Sequence, residues 1–191
     1  MKSLRVVLGL MVTALVISVP VRAQMDSNKP AGEMKPAPGP AQAVLEQWND
    51  IGRKLIAIAE DLPESKYDYS PGPGVRTFEA ALIHDAAAMY YFTDIAQGKK
   101  PRYPDDPKLD DLKTKAQVTA FVKKCVEDGA ALIKEKGDAG MEAPVKVGPT
   151  SQMRAIDLAY SVIEHSGEHY GQLVAYYRVN GMVPPESRPK K

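Results

Sequence analysis

An all-α four-helix bundle is the fold this sequence predicts, on three observations. Four stretches carry apolar residues at helical spacing, loops rich in proline and glycine separate them, and no stretch shows a sustained strand alternation. The chain shows no internal repeat.

The N-terminus reads as a targeting segment. Lys2 and Arg5 precede a nearly pure apolar run of 14 residues, Val6 to Val19, and Val21-Arg22-Ala23 offers small residues for signal peptidase. The run is short for a membrane span. Residues 1–23 are therefore expected to be a cleaved signal peptide, giving an exported protein, periplasmic or secreted, with no membrane association in the mature form. Residues 24–40 hold four prolines, two glycines and no large apolar residue beyond two methionines, the composition of a flexible linker.

The first helix begins at Ala41. Val44, Trp48, Ile51, Leu55, Ile58 and Leu62 form a one-face stripe, and Pro63 ends it. Pro-Gly-Pro-Gly at 71–74 forbids regular structure in the loop that follows. Thr77 is a suitable N-cap for a second helix running to about Gln97, with Glu79 in its first turn. Its stripe contains Ala80, Ala81, His84, Ala87, Ala88, Tyr91 and Ile95. The loop from 98 to 111 holds Pro101, Pro104 and Pro107.

The third helix starts at Leu112 or Thr114 and ends at Lys136, burying Val118, Val122, Cys125, Gly129 and Leu132. Residues 137–149 read as a loop. The fourth helix begins after Thr150 or Ser151 and runs to about Asn180, roughly 45 Å at the usual rise per residue. Gly181 and Pro184-Pro185 stop it. Residues 187–191 are a short basic tail.

Removal of residues 1–23 takes away Lys2, Arg5 and Arg22, leaving 22 basic against 24 acidic residues, a net charge of −2. Nothing in that balance favours nucleic acid or an anionic membrane surface. Cys125 is the only cysteine, so no internal disulfide can form. On an apolar stripe it reads as inert core.

The chemistry concentrates in the fourth helix, whose inward stripe reads Ala155, Leu158, Val162, His165, His169, Gln172, Tyr176. Four successive seam positions are polar. Burying them without partners would cost several kcal/mol, so a metal ion or a hydrogen-bonded network must satisfy them. His165 and His169, four residues apart, project from one helical face, and His84, the only other histidine, can join from the second helix. That coincidence favours a divalent metal. Three neutral imidazoles with an open position suit zinc best, with nickel or iron(II) also compatible. Gln172 and Tyr176 either orient a bound water or substrate or belong to a hydrogen-bond network lining the core. Glu168 and Asp85 point about 100° from their histidine neighbours and are placed on the surface.

Three segments, PGPGVRTFEAALIHDAA around His84, EHSGEHYGQLVAYYRVNGMVPP around His165 and His169, and the opening WNDIGRKLIAIAEDLPESKYDYSP, which runs from the first helix into the loop after it, resemble the DinB-like family over residues 41–186. The resemblance implies a four-helix bundle whose second and third helices run parallel through a crossover loop. It also implies a divalent metal on His84, His165 and His169. The implied activity is that of a metal-dependent hydrolase or thiol transferase with an unknown small-molecule substrate. A non-catalytic metal- or ligand-binding bundle protein related to stress is the alternative. Export would separate the chain from the cytoplasmic thiols some relatives use, and an exposed apolar patch would favour a homodimer.

Overall fold

A computed structural model describes residues 37–189. The expected signal peptide and residues 24–36 of the expected linker lie outside the described residues. Four helices make the bundle: α1 (Pro40–Asp61), α2 (Phe78–Ala96), α3 (Lys115–Glu142) and α4 (Ala155–Val179). No helix among the described residues is long and apolar enough to cross a membrane.

Pairings between helices fix their directions. Along α1 and α3, the Ala41 amide donates to Asp138 (2.8 Å), the Trp48 indole donates to the Val126 carbonyl (2.9 Å), and Thr119 Oγ1 donates to the Ala59 carbonyl. These two helices therefore run antiparallel. Trp48 also stacks at a tilt on Phe92, while Phe78, at the other end of α2, meets Tyr177, whose hydroxyl donates to the Ile58 carbonyl. Since α2 and α3 both oppose α1, they are parallel to each other, as the crossover requires. α4 opposes α2.

Thr77 caps α2 by accepting from the Ala80 amide, as its position predicts, and Thr114 and Gln117 form a capping box on α3. The centre of the bundle is α2, with 15 of its 19 residues buried. That burial overturns the surface placement of Asp85. A helix covered on nearly all sides has no solvent face to offer a residue 100° away from its inward stripe. Tyr91 departs in the other direction: expected on the inward stripe, it is exposed.

The segment expected as a loop at 137–149 is structured. Gly137 breaks α3 with φ of 57°, a conformation suited to glycine, and helix then resumes to Glu142. Buried Met141 anchors that extra turn, and Asp138 within it caps the N-terminus of α1. A two-stranded antiparallel hairpin follows, β1 (Pro144–Val147) and β2 (Ser151–Arg154), where no strand was expected. Four-residue strands are too short to register as alternation, and an isolated hairpin is marginal without packing. Here Val145, Val147 and Met153 rest on the core. The hairpin also delays the start of α4 to Ala155, so its 25 residues span about 37 Å.

The crossover loop is clamped to α2. Asp94, 2% exposed, accepts two charged hydrogen bonds from Arg102 (2.6 and 3.0 Å) and one from its backbone amide (2.9 Å). The guanidinium lies 3.9 Å over the Tyr90 ring. Burial alone would raise the Asp94 carboxyl, but the Arg102 donors outweigh it and hold it below the usual carboxylate range. Replacing Arg102 by alanine is expected to cost about 2 kcal/mol at neutral pH, because a buried carboxylate loses its partner; the partial exposure of the guanidinium keeps the figure modest. A depressed folded-state pKa stabilises above the unfolded value near ~4 and ceases to as pH falls through the folded one. Urea unfolding of the two proteins should therefore converge below about pH 4.

Candidate metal centre

The antiparallel packing of α2 on α4 brings together the three histidines that the sequence singles out. Ring centroids lie 4.7 Å apart for His84 and His169, 5.2 Å for His84 and His165, and 4.4 Å for His165 and His169. One ring nitrogen from each falls within 4.8 Å of the others. Their burial removes water from rings that must stay neutral to act as ligands: His84 is 6% and His169 7% exposed, and His165 is half-buried.

Burial depresses the pKa of all three. For His84 the Arg76 charge is the next cause, for His165 it is His84, and for His169 it is His165. The imidazoles are thus held with lone pairs free. His169 Nδ1–H donates to Gln172 Oε1 at 3.0 Å, since an amide oxygen only accepts; this leaves Nε2 bare. His84 Nδ1 and His165 Nε2 are buried without a hydrogen-bond partner among the described residues. Each such orphaned atom costs on the order of 1–3 kcal/mol. A divalent cation fits this donor set, because it would satisfy both of these nitrogens at once.

Around the rings stand residues that sequence reasoning placed elsewhere or missed. Asp85 is fully buried and accepts from Ser166 Oγ at 2.7 Å, so the residues that follow His84 and His165 lock α2 to α4. Burial raises the Asp85 carboxyl to about 7, opposed by the Ser166 bond. Asp106, from the crossover loop, sits with Oδ1 3.8 Å from His84 Nδ1 and 3.0 Å from Arg76 Nε. Nothing in the spacing of Arg76 or Asp106 signals this; loop folding alone delivers them. Glu168 is exposed, as expected.

The two other candidates divide. Gln172 is exposed rather than on the core seam, which passes from His169 to Leu173, yet its amide fixes the His169 tautomer. Tyr176 is buried, but its hydroxyl is committed to the Arg76 carbonyl, tying the loop before α2 to α4. It contributes position rather than a free polar group.

A cavity of about 410 Å³ opens beside His84 and His165, between α2 and α4. On α2 it is lined by His84, Ala87, Ala88 and Tyr91, and on α4 by Leu158, Ser161, Val162 and His165. Both sets follow i, i+3, i+4, i+7 spacing, one face of each helix. Pro101, Tyr103, Pro104 and Asp105 of the crossover loop roof it.

A family model described as the DinB superfamily matches residues 30–173, a stretch that includes all three histidines. The chain belongs to the DinB superfamily. Solved DinB-like structures share its fold. A protein from Bacillus subtilis superposes with a TM-score of 0.62 at 15% identity, covering 78% of this chain and 99% of the other. One from Bacillus cereus gives 0.64 at 15% identity, covering 75% and 95%. YfiT from Bacillus subtilis, described as "a probable metal-dependent hydrolase with an unusual four-helix bundle topology", gives 0.58 at 16% identity, covering 80% and 97%. No curated protein sequence matches. At such identities the neighbours establish the fold of this DinB-superfamily member, and its chemistry has to be argued from its own residues.

Proposed function

We propose that this DinB-superfamily protein is an exported metal-dependent enzyme, a hydrolase or thiol transferase, whose divalent ion is held by His84, His165 and His169. The observation that carries the reading is the pair of buried, unpartnered nitrogens, His84 Nδ1 and His165 Nε2, beside the bare Nε2 of His169. Zinc suits three imidazoles best, and nickel or iron(II) fit the same donors. An ion held there supplies Lewis acidity and lowers the pKa of a water or thiol brought to it. The chain's own residues do the rest. Gln172 holds His169 in the tautomer that offers Nε2, and the Asp85–Ser166 bond fixes the relative register of the helices that carry the ligands. The cavity beside His84 and His165 gives a substrate of small-molecule size a place to sit. The description of YfiT as a metal-dependent hydrolase supports the same reading. Export rests on residues 1–23 alone.

Elemental analysis of protein purified without chelators is expected to return about one divalent ion per chain. A panel of ester, amide and thiol-transfer substrates should then separate the native protein from His165→Ala. Absence of metal under those conditions would remove the centre, and equal rates in both proteins would remove catalysis from it.

A further inference from the structure

The cavity beside the histidines has a shape and chemistry of its own, and these define what it can hold. Its α2 and α4 faces each run from a histidine at one end to a large side chain at the other, Tyr91 on α2 and Leu158 on α4. The positions between are small or short: Ala87 and Ala88 on one helix, Ser161 and Val162 on the other. Large residues at these positions would close the gap, since protein interiors pack densely. The chamber therefore exists because the centre of both stripes is built from small side chains. Seven residues of helix separate His84 from Tyr91, giving a length of about 10 Å.

Its lining is apolar apart from the histidines and hydroxyls, and Asp105 is the only formally charged one among the described residues that form it. A negative charge held midway along this chamber, against Ala87, Ala88 and Val162, would lose part of its hydration, with the Asp105 carboxylate also on the lining. Resting on the reading of the histidines as a metal centre, we infer that the substrate carries an uncharged, apolar acyl or arylalkyl arm about two helical turns long. Its reacting head lies at His84 and His165 and its tail points toward Tyr91. A polar, anionic thiol is a poor occupant of such a space.

Calorimetric titration of the zinc-loaded protein with hydroxamates tests this, because the head group is constant and only the arm varies. Octanohydroxamate is expected to bind at least about thirtyfold more tightly than acetohydroxamate, from burial of its additional methylenes. A hydroxamate of equal length carrying a carboxylate midway along the arm, level with Ala88 and Val162, should bind about tenfold more weakly than octanohydroxamate. Ala88→Trp, which fills the chamber, should erase the gain from chain length with zinc uptake unchanged. Tyr91→Lys, at an exposed position, should instead tighten binding of a hydroxamate of equal length that ends in a carboxylate, by pairing with it. Octano- and acetohydroxamate binding within about threefold of each other would overturn the inference and leave the metal centre standing. If the protein takes up no zinc, the proposed function fails by itself, and the chamber is then judged with N-methyloctanamide on the metal-free protein. Binding that Ala88→Trp weakens supports the inference; no binding overturns it.

Discussion

Replacing His169 by alanine is expected to abolish metal uptake while the far-ultraviolet helical signal stays intact. Loss of one ligand of three should lower affinity by more than about 100-fold, beyond the usual effect of removing a group that merely orients a ligand. The fold should survive, because Leu173, Tyr176 and Tyr177 on the same helix remain packed and the Asp85–Ser166 bond is untouched. Gln172→Ala provides the graded comparison. It leaves all three rings in place but frees the His169 tautomer, so its loss should fall in the range of about 10- to 100-fold. Equilibrium dialysis against zinc with a competing chelator measures both. Unchanged affinity in His169→Ala would show that the histidines form a polar cluster and no metal centre.

Gly129→Ala is expected to be among the most destabilising substitutions in the bundle. A Cβ at position 129 would lie 2.0 Å from Trp48 Cζ2 and 2.6 Å from Cε2. The indole cannot step aside. Its Nε1–H donates to the Val126 carbonyl, and its ring centroid lies 5.2 Å from that of Phe92. Alanine gains about 1 kcal/mol of helix propensity over glycine, but overpacking of this severity costs more. The expected net loss is about 3 kcal/mol, read as a shift of the urea midpoint. Gly171→Ala is the matching control. It lies on an exposed face of α4 with nothing within 4 Å of the added Cβ, so it should stabilise by about 0.5–1 kcal/mol. Equal effects at the two positions would show that the α1–α3 contact is looser than the Trp48 geometry requires.

These two expectations differ in how much of them could be read from the chain. His84, His165 and His169 were legible because helical spacing is a local property. Three histidines on inward stripes mark a cluster before any packing is known. The close approach at Gly129 was only half legible. The stripe places it in the core, but which side chain presses against it depends on α1, some eighty residues earlier.

Helical periodicity and turn residues therefore determine four helices, their order and the identity of the histidines, since each depends on contacts within a few residues. Tertiary structure decides the rest. It buries Asp85 because α2 is covered on nearly all sides, moves Gln172 off the core seam, and commits the Tyr176 hydroxyl to the Arg76 carbonyl. It stabilises a hairpin that short strands could not announce. It carries Arg76 and Asp106 to the rings from two loops and leaves a chamber where small residues on two helices coincide. Burial on a central helix, loop closure and the register between helices are set by residues far apart in sequence, so no local pattern encodes them.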